Sequence, residues 1–214
     1  MTPTGPETRP ALGIASVVAT GRGDDGTTGL LYGGARIRKD DLRTEAYGTI
    51  DEAVAALGLA RANLAGLPDL AALILRFQRE LFVAGAELAT NPDAWDRLAD
   101  DVTRVSAAMV GGVETVLVDV EARITMPREF VVPGETVASS ALEIARTVLR
   151  RAERRAVELD AAGLVPGPHL VRYLNRLADL LWVLARAAEQ AEARTATPSR
   201  ADRSARTGRT TAKS

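Results

Sequence analysis

Hydrophobic residues recur at spacings of three and four along most of the chain, which is the pattern of amphipathic α-helices. The first such segment begins near Thr44, a candidate N-cap, and ends near Leu64. The second begins at Pro68, which suits the first turn of a helix, and ends at Asn91-Pro92. Together the periodic segments predict five helices, at about 44–64, 68–90, 101–123, 136–162 and 169–189.

The connections between these segments are short, and no segment shows convincing strand-like alternation. The third segment is rich in valine, but its apolar residues keep a helical period. Short connections place consecutive helices side by side in opposite directions. The fold class predicted from the pattern is therefore all-α, an antiparallel bundle of five helices.

Length and composition indicate one helical domain with a polar segment at each end. The chain has 214 residues, of which 46% are hydrophobic, enough for a packed core. Residues 1–16 are rich in Pro, Thr and Gly without periodicity, and residues 191–214 combine many Arg with Thr, Ser and Ala. We predict that both ends are disordered and that the folded domain covers residues 17–190.

Composition also excludes several kinds of chemistry. The chain has no Cys and a single His, His169, so thiolate chemistry and His-rich metal sites are excluded. Its two lysines, Lys39 and Lys213, do not form the Gly-Lys-Ser/Thr of a Walker A loop. The residue three before His169 is Pro166, which excludes the Glu-x-x-His pair of a di-iron bundle.

Charge and hydropathy bear on where the protein acts and what it binds. A net charge of −1 gives no general reason to bind nucleic acid or membrane. No apolar run approaches about 20 residues, and the start lacks the pattern of a secretory signal. We expect a cytoplasmic protein.

Three charged residues in the fourth predicted helix form a candidate anion-binding face. Arg146, Arg150 and Glu153 are spaced by four and three, so they lie on one side of the helix. Two guanidiniums one turn apart suit phosphate oxygens, and the carboxylate can orient an Arg or accept from a bound hydroxyl. A solvated surface face is the alternative interpretation.

Two other segments carry polar groups that suit the same ligand. Residues 20–28 contain three glycines among Thr and Asp, and such a loop can close backbone amides around phosphates, or be an ordinary turn. In the fifth helix Asn175 and Asp179 are four residues apart, and Asn175 lies at the edge of the leucine stripe. We expect Asn175 to be half-buried near the arginine face.

Together these segments resemble the PduO-type ATP:cob(I)alamin adenosyltransferase family. The resemblance rests on residues 20–31 with Lys39, on AYGTIDE at 46–52, and on residues 130–186. Within the last stretch the matching motifs are FVVPG, ARTVLRRAER and YLNRLADLLWVLAR, in the family's order. Residues 91–129 and the two ends contribute almost nothing to the match.

The resemblance implies an enzyme that transfers the 5′-deoxyadenosyl group of ATP to the Co(I) of cob(I)alamin or a related corrinoid. It implies a ferritin-like, cobalamin adenosyltransferase-like bundle that assembles as a homotrimer, with ATP sites between subunits. Mg²⁺ would bind through the ATP phosphates, without direct protein ligands. The further partners implied are a reductase and an adenosylcobalamin-dependent acceptor enzyme. A paralogue that binds ATP or corrinoid for delivery or sensing, without efficient transfer, is the alternative.

The family's functional residues correspond to particular positions here. Phe130 matches an aromatic residue that displaces the lower axial ligand of the corrinoid, and Asp51 matches a residue that pairs with Arg146 across the subunit interface. Arg150, Arg146 and Asp51 are the catalytic candidates. The positions that match ATP-binding residues are Thr20, Gly23, Asp24, Gly26, Thr28, Lys39, Arg146, Arg150, Glu153 and Asn175.

Four of these positions have a structural alternative. Phe130, beside Val131 and Val132, is also what a core would choose. Asp51 can be a solvated residue in the first turns of its helix. Asn175 can cap or bridge helices, and Lys39 can be an exposed loop charge.

The sequence departs from the family pattern near the proposed ATP site. Gly21 stands where the loop usually has a Lys, and Glu143 replaces a His three residues before Arg146. Glu143 is thereby placed to compete for Arg146 with phosphate or with Asp51. Glu135 replaces the second Gly of Pro-Gly-Gly, and Ala53-Val54 replaces the usual Asn-Ser.

Overall fold

Five α-helices form most of the protein in the computed structural model, which describes residues 18–200. A six-residue 3₁₀ helix, Pro92–Arg97, follows the second α-helix. The mainly helical fold class predicted from the sequence is confirmed. The helices are α1 (Leu42–Ala62), α2 (Pro68–Ala89), α3 (Ala107–Glu121), α4 (Val137–Ala161) and α5 (Leu170–Ala191).

The observed helix ends correct two of the predicted ones. Asp41, not Thr44, is the N-cap of α1, and its side chain accepts from the backbone amide of Arg43. The Thr44 hydroxyl donates instead to the carbonyl of Arg38. The helix α3 begins at Ala107, later than predicted, because residues 99–104 form turns before Ser106 caps the helix.

Four strands of two residues each were not predicted. β1 (Thr27–Thr28) pairs antiparallel with β2 (Ile37–Arg38), and β3 (Val131–Val132) pairs antiparallel with β4 (Thr197–Pro198). The sequence shows no convincing strand-like alternation, and these two short pairs are therefore an addition to the predicted helical fold. A two-residue strand is too short to produce an alternating pattern that a sequence could reveal.

The second pair of strands changes the picture of the C-terminal segment. Residues 191–200 were predicted to belong to a disordered tail, but β4 lies beside β3 and the Ser199 amide donates to the Phe130 carbonyl at 2.7 Å. In the structure these residues are therefore attached to the bundle. Residues 201–214 and the N-terminal residues 1–16, also predicted to be disordered, lie outside the described residues.

The core lies where α1 packs on α2 and α4, and where α5 packs on α3 and α4. Both α1 and α4 bury alanines seven residues apart, which lets two helix backbones approach closely: Ala46, Ala53 and Ala60 in α1, and Ala138, Ala145 and Ala152 in α4. The helix α5 contributes mainly leucines, in keeping with its predicted stripe. Among residues 18–200 we find no helix with the length and apolar content needed to cross a membrane.

Candidate active site

Arg146 and Arg150 lie one turn apart on α4 and line the same open cavity, of about 360 Å³. Asp179 and Trp182 of α5 form another side of it, and Glu121 of α3 also lines it. We call this space the arginine cavity. The two guanidiniums that the sequence placed on one helix face are thus brought together at a concave surface of a size that suits part of a nucleotide.

Arg146 is anchored by the acidic residue that replaces the family's His. Its Nε donates to a Glu143 carboxylate oxygen at 2.7 Å, and its side chain stays 24% exposed. The predicted closeness of Glu143 to Arg146 is thus observed. Arg150 is exposed, and no ion pair with a described residue neutralises it.

Asn175 joins α5 to α4 beside this cavity. Its side-chain amide donates to the Glu153 carboxylate at 2.9 Å, and its amide oxygen accepts from Arg176 at 3.0 Å. Arg176 also contacts Glu114 of α3 at 3.2 Å. Asn175 is half-buried, as expected, and its two contacts fix which way the amide points.

The glycine-rich loop, residues 20–31, is shaped mainly by contacts close in sequence. Gly21 and Gly26 have φ angles of 69° and 78°, which L-residues with side chains rarely adopt. Asp25 accepts from the amide and the hydroxyl of Thr27. These bonds, the amide first, hold the pKa of the Asp25 carboxyl below its usual value.

Lys39 returns to this loop from the end of β2. Its backbone amide donates to the Gly26 carbonyl at 2.9 Å, and a Cβ added at Gly23 would lie 2.8 Å from the Lys39 ammonium. Gly23 therefore makes room for the Lys39 side chain. Arg36, which the sequence analysis missed, braces the same loop by donating to the Arg22 carbonyl at 2.6 Å and the Thr27 hydroxyl at 2.7 Å.

The loop and the arginine cavity are not connected within the chain. Between described residues, no hydrogen bond or ion pair links residues 20–39 to α4. Thr20, Asp24 and Lys39 are exposed, whereas Thr28 is half-buried in β1. The structure therefore presents two separate groups of polar residues where the sequence analysis expected a single nucleotide site.

Asp51 and Glu52, adjacent on α1, have different surroundings. Glu52 pairs with Arg151 of α4. The Asp51 side chain is exposed and makes no ion pair or hydrogen bond with any side chain of residues 18–200, Arg146 included.

Phe130 lies at the surface, with 87% of its area exposed, so it does not belong to the core of the chain. It lines a second cavity, of about 420 Å³, together with Trp182, Pro127 and Arg128. We call this space the aromatic cavity. Trp182 lines both cavities and so forms a shared wall between them.

Sequence reasoning missed the place of Trp182 in the site. Trp182 follows Asp179 by three residues and Asn175 by seven, so helical spacing alone puts all three on one side of α5. The spacing alone would therefore have pointed to Trp182. In the described part of the chain, no three His, Cys, Asp or Glu side chains gather into a group that could hold a metal ion.

Comparisons with known proteins show which family the chain belongs to. The family model for cobalamin adenosyltransferases matches residues 18–188. A corrinoid adenosyltransferase from Citrobacter freundii is 38% identical over 80% of this chain and 94% of its own length. One from Bacillus subtilis is 41% identical over 78% of this chain and 83% of its own length.

Solved structures give the same result. A variant of the PduO-type ATP:corrinoid adenosyltransferase from Lactobacillus reuteri, complexed with cobalamin and ATP, superposes with a TM-score of 0.77 at 27% identity. The match covers 85% of this chain and 98% of that one. Since the family model spans most of the sequence and the relatives match over nearly their whole length, the chain belongs to the cobalamin adenosyltransferase family.

Proposed function

We propose that this protein is an ATP:cob(I)alamin adenosyltransferase, which forms adenosylcobalamin, or the equivalent from a related corrinoid, and releases triphosphate. The Co(I) electron pair attacks C5′ of ATP and forms the Co–C bond. The C5′–O bond breaks, and its electron pair leaves with the triphosphate. Family membership and the relatives named corrinoid adenosyltransferases support this reaction.

The observation that carries the proposal is the wall that the two cavities share. Adenosyl transfer requires ATP and the corrinoid to meet with C5′ facing cobalt. The arginine cavity offers cationic groups for a triphosphate, and the aromatic cavity offers the rings of Phe130 and Trp182, among charged neighbours, for a corrin ring. Trp182 lines both cavities, so the two lie next to each other on α5.

Within the ATP site, Arg146 and Arg150 contact the triphosphate, where negative charge increases as the C5′–O bond breaks. Glu153 and Asn175, which already share a hydrogen bond, bind the nucleoside or orient an arginine. Mg²⁺ binds through the phosphates. The loop closes over the phosphates with its polar groups, at Thr20, Gly23, Asp24, Gly26, Thr28 and Lys39.

We also propose that the two halves of this site meet between neighbouring subunits of a homotrimer. The loop and Lys39 come from one subunit, and the arginine cavity comes from the next. The absence of hydrogen bonds and ion pairs between the loop and α4, among the described residues, supports this assignment. So does Asp51, whose exposed carboxylate has no ion-pair partner within residues 18–200 and can bind the terminal nitrogens of Arg146 in a neighbouring copy.

Phe130 is assigned to the corrinoid. The Phe130 side chain is 87% exposed and lines the aromatic cavity, so its ring is accessible for contact with the lower face of a corrin ring. There it excludes the lower axial ligand, which makes reduction to Co(I) easier. A reductase that supplies Co(I) and an acceptor enzyme for the product complete the expected partners.

An anaerobic assay with ATP, Mg²⁺ and chemically reduced cobalamin tests the proposed reaction. We expect the visible spectrum to change as the Co–C bond forms, with one triphosphate released per corrinoid. A paralogue that only binds would retain both ligands without forming that bond. The proposal fails if the pure protein binds ATP and cobalamin but forms no adenosylcobalamin.

A further inference from the structure

A buried group of charges lies behind the arginine cavity. Glu143 of α4 and Arg186 and Glu189 of α5 have side chains only 5%, 1% and 2% exposed. Arg186 donates to Glu189 at 2.8 Å and lies 3.3 Å from Glu143. Charges this deep are stable only when they are paired, so the group holds its members in a defined arrangement.

Glu143 connects this group to Arg146. One of its carboxylate oxygens accepts from Nε of Arg146 at 2.7 Å, and the other lies 3.3 Å from Nη2 of Arg186. The two oxygens thus serve two different arginines. The Nε edge of Arg146 is held by Glu143, no hydrogen bond or ion pair with a described residue engages its terminal nitrogens, and the side chain lines the arginine cavity.

Trp182 lies between the buried charges and the arginine cavity. Its ring centre lies 5.4 Å from the Arg186 guanidinium carbon, and the same ring lines the arginine cavity. Arg186 does not line that cavity, so its effect on a ligand there is indirect, through Glu143 and Arg146 or through the Trp182 ring.

We infer that Glu143 and Arg186 are positioning residues for Arg146, which they hold with its terminal nitrogens free to meet the triphosphate. The inference rests on the proposed function, in which Arg146 binds ATP. It assigns a role to Glu143, the residue that departs from the family's His. Glu143 then supports phosphate binding by orienting Arg146, and does not oppose it by competing for the same nitrogens.

The test separates positioning from folding by using three variants. Glu143→Gln weakens the contact with Arg146. A triple variant, Glu143→Met, Arg186→Met and Glu189→Met, replaces all three buried ions by apolar side chains of similar length, a change that is often neutral or stabilising. Glu189→Gln is the matched control, because Glu189 contacts Arg186 but not Arg146.

We expect the triple variant to melt at or above the wild-type temperature while its single-turnover transfer rate falls by about 10- to 100-fold, as for a misplaced catalytic contact. Glu143→Gln should lose rate in the same direction, and Glu189→Gln should stay within about threefold of wild type. A triple variant with wild-type transfer, or tighter ATP binding by Glu143→Gln, would overturn the inference.

The dissociation constants for ATP and for inorganic triphosphate keep this test independent of the proposed reaction. If the wild-type protein transfers no adenosyl group, the proposed function fails. The same variants then still decide the role of Glu143 by binding alone. Weaker triphosphate binding by the triple variant supports positioning, and unchanged binding contradicts it.

Discussion

The glycine-rich loop and the arginine cavity hold their polar groups by different means. Residues 20–30 and Lys39 rely on turns and on the brace of Arg36, all close in sequence and largely exposed, and the segment is tied to the end of α2 by hydrogen bonds of Leu31 with Ala89 and Asn91. Arg146 and Asn175 instead stand on two long helices and are fixed by Glu143 and Glu153, partly or fully buried. A change in the loop should therefore stay local, whereas a change at the cavity reaches the packing of α4 on α5.

The way in which the loop and the arginine cavity are held is also relevant to how subunits assemble. No hydrogen bond or ion pair between described residues joins residues 20–39 to α4, so within one chain the polar groups of the loop have no link to the arginine cavity. In the proposed trimer a neighbouring subunit supplies that link, because it holds the loop against the cavity. The predictions below separate the contributions of the two regions.

The largest expected loss of transfer rate comes from a change in the arginine cavity. Arg150→Ala should lower the transfer rate by about 10²- to 10³-fold, because it removes a donor to the leaving triphosphate. Arg154→Ala is the control, as Arg154 is an exposed arginine one turn further along α4. Single-turnover kinetics measure both, and activity of Arg150→Ala within threefold of wild type would exclude Arg150 from the site.

Glu87 is a buried carboxyl that belongs neither to the glycine-rich loop nor to the arginine cavity. Its titration should change the free energy of unfolding without altering either region. Glu87 of α2 is fully buried and accepts from the Val105 amide at 2.7 Å, while its other oxygen has no described hydrogen-bond partner. Burial raises the pKa of Glu87 to about 7. In the unfolded chain this pKa returns to about 4.5.

The folded state therefore binds the extra proton between pH 4.5 and 7, so the contribution of Glu87 to stability is full below that window and is lost as pH rises through it. Relative to Glu87→Gln, the wild-type free energy of unfolding should fall across the window by an amount on the order of 3 kcal/mol. Denaturant titrations at several pH values measure this difference. Parallel pH profiles for the two proteins would show that Glu87 does not titrate there.

A substitution in the glycine-rich loop should have a smaller effect than one in the arginine cavity. Lys39→Ala should weaken ATP binding by about 10-fold, the worth of one hydrogen bond to a charged group, and leave the melting temperature nearly unchanged. Arg38→Ala is a suitable control, since Arg38 is exposed and pairs only with Asp40 among described acidic residues. Equal ATP affinity in Lys39→Ala and wild type would remove Lys39 from the phosphate site.

The smallest effect should come from the C-terminal segment. Deleting residues 201–214, which are polar, should change neither stability nor transfer. Deleting residues 195–214 also removes β4 and the Ser199 bond to the Phe130 carbonyl, and should cost about 1 kcal/mol of stability and weaken corrinoid binding. Identical behaviour of the two truncations would show that β4 does not support Phe130.

The sequence predicts the helices and the arginine face, but not the contacts between helices or between distant segments. The helices and the face shared by Arg146 and Arg150 follow from a period of 3.6 residues, which is a local property of the chain. The pairing of Asn175 with Glu153 and the shared wall at Trp182 depend on how α4 and α5 pack, which no local pattern contains. The attachment of residues 197–198 to β3 joins segments 65 residues apart and was missed for the same reason.

Subunit mixing tests most directly the central claim that the loop of one subunit completes the arginine cavity of the next. Arg150→Ala and Lys39→Ala chains, unfolded and refolded together in equal amounts, should form mixed trimers. About one quarter of the interfaces then combine an intact loop with an intact cavity. At ATP concentrations well below the wild-type dissociation constant, where Lys39→Ala alone retains about a tenth of the wild-type rate, transfer should therefore recover to about one quarter of the wild-type rate. Activity equal to the mean of the two separate variants, in trimers shown to be mixed, would contradict the claim, because it would place the whole site within one chain.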